Sequence, residues 1–413
     1  MRVDKYTLAK MNKRLVLETI RNCGAINKSK IAKLTDLSIP TVMKITDELV
    51  AIGVVSSCGK QQRVSGKPPE LFAFVEDSFY SIGADIGPTN LRVVVMDLGG
   101  RIIAENVKPT CNTQPAELLI ERTAELITKT IEESKIDTLK ILGIGVGIPG
   151  ILEKKAGKVL FSPNFSWENV LVIEQLKEKL KIKNLSIMIE NSNRALALGE
   201  QYFGEGVDND YFICINLGYG IGSAVVVNGE FYTGSSDTVG EIGHITVEKD
   251  GPLCTCGNNG CLEALASGRA IAQYAKNAVL CGGASTLISQ HARGNIEAIE
   301  AKTVFEAALL GDSLARDIVS KAGEYIGIGI ANYINLLDPE KIILAGGLSQ
   351  NEELVDQIKR VAKLRQMRFA ARKVKIRVSK LGANATAIGA AALIIKRLIE
   401  TGGATALKSL EEV

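Results

Sequence analysis

Long apolar runs are missing from this chain. Across 413 residues there is no uninterrupted apolar stretch of the ~18 residues a membrane-spanning helix needs. The N-terminus, M-R-V-D-K-Y-T-L-A-K, also lacks the apolar centre of a secretory signal, so the cytoplasm is the expected compartment and no membrane partner is expected. Disulfides are not indicated either. Of eight cysteines, three crowd together, and Cys23, Cys58, Cys111, Cys214 and Cys281 are scattered as free thiols in a reducing compartment would be. Net charge is only +3, too little to imply a polyanionic partner for the chain as a whole. Neither a P-loop nor a dinucleotide-binding fingerprint is present.

What is present is concentrated in Gly240 to Glu263, which reads G-E-I-G-H, nine further residues, then C-T-C-G-N-N-G-C-L-E. Three thiolates and one imidazole make a complete tetrahedral donor set for zinc: His244, Cys254, Cys256 and Cys261. Four protein ligands leave no open position, so such a zinc would be structural. Gly257 and Gly260 supply the turns that wrapping an ion demands.

Charge is unevenly spread. Met1 to Glu70 hold 13 Lys and Arg against 6 Asp and Glu, a net of +7, which leaves −4 for the remainder of a chain at +3. A basic end on a mildly acidic body suits a nucleic-acid-binding segment. Helical spacing predicts a helix over Asn12 to Asn22 with Leu15 and Ile20 inward. A second should be capped by Asn27, with Ile31 and Leu34 inward, and a third capped by Ser38, with Pro40 in its first turn and Gly53 as its stop. Two strand-like runs around the loop C-G-K-Q-Q-R-V-S-G-K-P-P complete an expected winged helix-turn-helix at 1–75. Ser38, Thr41, Lys44 and Thr46 are the expected groove contacts, and Lys60, Arg63 and Lys67 the expected phosphate or minor-groove contacts.

From Tyr80 onward, strands punctuated by glycine alternate with helices in two similar blocks, which predicts two α/β lobes with a cleft between them. The expected limits are 76–195, joined by the returning C-terminal segment 384–413, and 196–383. Asp85-Ile86-Gly87 and Gly218-Tyr219-Gly220-Ile221-Gly222 are glycine turns of a kind that can cradle phosphate or simply turn the chain.

Taken together, these pieces resemble the ROK family (repressors, open reading frames and kinases), a branch of the α/β actin-like ATPase fold. The Gly240 to Glu263 stretch resembles its signature at every fixed position. The resemblance implies that Glu241, His244 and Glu263 reach sugar hydroxyls, and that Asn191 and Asn164, beside Trp167, serve the same pocket. Kinases of the family carry an Asn-Asp pair whose Asp takes the proton from the attacked hydroxyl, but here Ser192 stands in that place, in E-N-S-N-R. Serine is not a general base at neutral pH without an activating partner. The phosphate loop D-x-G-G-T is D-I-G-P-T, spanning Asp85, Gly87 and Thr89, and Pro88 removes an N–H donor. The second loop, with Gly218 and Gly220, carries Tyr219 where kinases usually have Thr. The expectation is therefore a repressor that is not an enzyme. It would be a dimer, or a tetramer, binding operator DNA and a monosaccharide such as xylose or a glucose-like hexose.

Overall fold

The computed structural model describes residues 5–60, 68–110, 114–180, 185–282, 286–368, 374–404 and 406. Three helices, Lys5–Cys23, Lys28–Thr35 and Ile39–Ile52, open the chain and pack with an antiparallel sheet of Ile26–Asn27, Glu70–Phe74 and Val55–Lys60, in that order. Local chemistry sets their limits. Asn27 caps the second helix by accepting from Lys30 N, Ser38 caps the third by accepting from Thr41 N, and Gly53 ends it at φ 89°. The first helix begins earlier than its periodicity predicts, because Leu8 and Met11 are exposed and no buried face marks that part. Its inner face is Val16, Leu17 and Ile20, while Leu15 turns outward. Leu34 is likewise 55% exposed. Thr35, one turn on from Ile31, takes the inner position and donates to Ile31 O.

The body holds two five-stranded sheets of matching design. In the first, Ile187–Asn191, Ile141–Ile148 and Tyr80–Ile86 run parallel, and Asn90–Asp97 and Ile102–Pro109 continue antiparallel. The second repeats the pattern: Lys375–Val378, Lys341–Ala345 and Phe212–Leu217 are parallel, then Ile221–Val227 and Glu230–Phe231 antiparallel. Asn228 and Gly229, both at positive φ, make the Asn-Gly turn of the last hairpin.

Two helices sit between the lobes, Ser192–Phe203 and the closing helix Ala385–Glu400. They touch backbone to backbone: a Cβ on Gly389 would lie 1.6 Å from Ala195 O, and one on Gly199 2.9 Å from Ala385 O. The closing helix also lies on the first sheet, where Cβ atoms on Gly83 and Gly145 would each fall 1.8 Å from a carbonyl of Ala387 or Ala390. Gly382–Glu400 has the length and hydropathy of a membrane span, but 72% of it is buried within the protein.

Candidate functional site

Between the lobes lies a cleft walled by Gly150, Lys154, Glu190, Asn191, Arg194, Asp237 and Glu241, among others. Asn191 ends the edge strand Ile187–Asn191 of the first sheet and caps the helix Ser192–Phe203 that follows. Its Oδ1 caps that helix by accepting from Asn193 N at 2.9 Å, and its Nδ2 donates to Gly150 O at 3.0 Å. One side chain thus fixes the helix start and the glycine loop opposite it. Glu241 comes from the other lobe. It follows Gly240, whose φ of 109° and close approach to Ser223 O admit no side chain, and it precedes the short turn Ile242–His244. Partial desolvation at the cleft wall pushes the Glu241 carboxyl above its ordinary value, with His244 opposing and Glu263 adding to the shift.

Four further charged groups, which the sequence reading did not single out, complete the walls. Glu190 accepts from Lys154 Nζ at 2.6 Å and from Asn191 N at 2.9 Å. Arg194, its side chain only 7% exposed, crosses between the lobes to Asp237, with Nη1 donating to Oδ1 at 2.8 Å and Nη2 to the Asp237 carbonyl. Arg194 lies in the first turn of the helix, four residues after Glu190 at the end of the preceding strand, a spacing visible in sequence. Its partner 43 residues further on was not.

Behind Glu241 the four donor atoms of His244, Cys254, Cys256 and Cys261 all lie within 4.8 Å of one another. Cys254 Sγ is 3.6 Å from His244 Nδ1, and Cys256 Sγ is 3.6 Å from Cys261 Sγ. A tetrahedron with arms of about 2.3 Å has edges of roughly 3.8 Å, close to the two separations of 3.6 Å, so the four donors are gathered as an ion requires. Burial, then the neighbouring sulfurs, push the Cys261 thiol up to about 12, a conflict that a divalent cation would relieve. With Nδ1 turned to the sulfurs, His244 Nε2 points toward Glu241 Oε2 at 3.8 Å, which links the donor cluster to the cleft wall.

Other predicted residues stand elsewhere. Glu263 is not among the cleft-lining residues but stands near enough to Glu241 to raise its carboxyl; its Oε2 accepts from Ile221 N at 2.9 Å and its Oε1 faces Arg269, so it also braces the glycine turn Gly218 to Gly222. His244 and Asn164 are also outside the lining. Thr46 is a correction. It is fully buried and donates to Val42 O, so it belongs to the core of the N-terminal three-helix unit and not to a groove-facing surface. Ser38 and Lys44 are exposed and Thr41 half-buried, with Ser38 Oγ 2.8 Å from Thr41 Oγ1. Arg63 and Lys67 lie outside the described residues, as does the Lys60 side chain.

In the two glycine turns, several donors that would hold phosphate are engaged internally. Gly87 N donates to Asn90 O, Gly218 N to Gly220 O, and Ile221 N to Glu263. Asp85 stands beside Gly87, its carboxyl pushed up to about 7 by burial, with Arg92 opposing. A folded-state value above the unfolded one means that the folded chain holds the proton more tightly. Stability should therefore fall as pH rises from about 4 to about 7. Asp85→Asn is expected to remove that slope and, because Asp85 keeps some accessible surface, to add about 1–3 kcal/mol at pH 8. Urea unfolding at several pH values checks this; an unchanged slope would contradict it.

Comparison with known proteins agrees with this geometry. The model of the ROK family matches residues 81–397. The xylose repressor of Caldicellulosiruptor bescii is 33% identical over 399 residues, covering 96% of this chain and 98% of the relative. A ROK family transcriptional regulator, a homologue of the E. coli MLC protein, superposes with a TM-score of 0.81 at 26% identity over 98% of this chain and all of its own. A ROK family glucokinase from Streptomyces griseus, in complex with glucose and AMPPNP, superposes with a TM-score of 0.68 at 32% identity, covering 76% of this chain and 98% of its own. The two-lobed body, the signature stretch and the full-length similarity lead to one conclusion: the chain belongs to the ROK family.

Proposed function

We propose that this protein is a cytoplasmic, sugar-responsive transcriptional repressor. The observation that carries the reading is the combination on one chain of a cleft that keeps Asn191 and Glu241 with Ser192 where phosphoryl transfer needs a base. Such a cleft holds a sugar without converting it. The head, 1–75, is read as a winged helix whose third helix enters the major groove, with Ser38, Thr41 and Lys44 at its leading end. A homodimer would present two heads to a pseudo-palindromic operator. Lobes at 76–195 with 384–413, and at 196–383, would enclose the sugar, and zinc on His244, Cys254, Cys256 and Cys261 would brace Glu241. The similarity to a xylose repressor makes xylose the first effector to try, with glucose-like hexoses next.

A kinase retaining a head is the second reading, favoured by the 32% identity to a glucokinase. Against it stand Ser192, Pro88 and the internally engaged loop donors. Calorimetric titration with D-xylose and D-glucose, beside a coupled ATP assay on the same sugars, separates the two. Sugar binding without turnover is expected. ATP-dependent turnover that survives purification would establish the kinase reading.

A further inference from the structure

The helix Ser192–Phe203 has one end in the cleft and the other against the head. Its first turn carries Asn193 and Arg194. Arg194 reaches across to Asp237, and Asn193 accepts from Asn216 Nδ2 at 3.1 Å and packs so closely on Gly222 that a Cβ there would sit 2.1 Å from its amide. Both partners belong to the second lobe. The last turn of the same helix carries Tyr202 and Phe203. Arg21 of the first head helix lays its guanidinium 4.6 Å from the Tyr202 ring centre and 5.9 Å from that of Phe203. Phe203 is itself wedged on the Gly100 turn, where a Cβ would lie 2.4 Å from the ring. Twelve helical residues span roughly 18 Å, so one rigid element joins the cleft to the head.

A second contact keeps the head from moving independently. Val16, Leu17 and Ile20 of the head share one continuous apolar core with Ile395, Leu398 and Ile399 of the closing helix and with Ala406 beyond it. A Cβ on Gly402 would lie 2.4 Å from Lys13 Cβ, and one on Gly403 3.2 Å from Ile52. Because the closing helix and Ser192–Phe203 are in backbone contact at Gly389 and Ala195, neither can slide on the other.

Resting on the repressor reading above, we propose that these two helices form the strut through which ligand occupancy reaches the head. Arg194 and Asp237 are the positioning pair at the cleft end, and Tyr202 with Arg21 the coupling at the head end. A sugar that alters the approach of the lobes must alter the Arg194–Asp237 tie, and the helix then moves as a body with the seat of Arg21. This makes Arg21 a residue of the sugar response although it touches neither sugar nor groove.

The test measures three quantities on the full chain: D-xylose and D-glucose affinity by calorimetry, affinity for duplex DNA from the gene's own upstream region, and the change in that affinity on adding sugar. In the native chain the change should be about fivefold or more, the lower end usual for coupled sites. Tyr202→Leu keeps apolar volume but loses the cation–π seat. It should leave sugar and sugar-free operator affinities within about twofold and cut the sugar-induced change to less than about twofold. Arg21→Gln, on the partly exposed side of the same contact, should do the same and serves if Tyr202→Leu does not fold. A native chain that responds alongside variants that respond equally overturns the strut and leaves the repressor reading intact. A native chain whose operator affinity ignores both sugars overturns the reading itself, and the strut with it.

Discussion

Cys256→Ser is expected to reduce bound zinc from about one ion per chain to a small fraction, and to weaken sugar binding about 10–100-fold while operator affinity moves by less than about threefold. The separation follows from where the donor cluster sits. Cys256 is exposed, so serine costs little packing, but without its thiolate the tetrahedral set is broken. His244 would then lose the anchor on Nδ1 that aims Nε2 at Glu241, and Glu241 is a wall of the cleft. The head shares its core with the closing helix and not with the donor cluster, so it should be spared. Chelation of the native protein should reproduce the variant, and zinc should reverse chelation but not the substitution. Metal analysis, sugar calorimetry and operator binding on the same preparations check this. Equal loss of both affinities would mean that the metal supports the whole fold.

Glu241→Ala is expected to weaken sugar binding by about 100-fold or more. A carboxylate on the cleft wall can accept from two neighbouring hydroxyls, each charged hydrogen bond contributes about 1.5–3 kcal/mol, and 1.4 kcal/mol is tenfold. The side chain is 60% exposed, so thermal stability should hardly change. Glu241→Gln should fall between, keeping an acceptor but losing the charge. Binding unchanged in Glu241→Ala would remove the cleft from the account.

Much of this was readable from the chain itself. The caps at Asn27 and Ser38, the stop at Gly53 and the Asn228-Gly229 hairpin are local chemistry, and local chemistry survives folding. The metal donors were legible because all four fall within 18 residues. What escaped is what tertiary contact decides. Helical spacing alone could not choose between Leu34 and Thr35 for the inner face, nor show that Thr46 turns inward while Lys44 stays exposed. Glu263 accepts from Ile221 N, a backbone partner 42 residues away that no spacing announces. The Arg194–Asp237 tie and the Arg21 seat on Tyr202 join residues 43 and 181 positions apart, and no periodicity announces such pairs.

The most direct measurement is fluorescence anisotropy of labelled upstream DNA from the protein's own gene, titrated with the full chain in the presence and absence of D-xylose and D-glucose at fixed salt. The account predicts binding at least about 1,000-fold tighter than to random duplex of equal length. It also predicts a change of about fivefold or more with one of the two sugars and no consumption of ATP. Affinity equal to that for random DNA would contradict it.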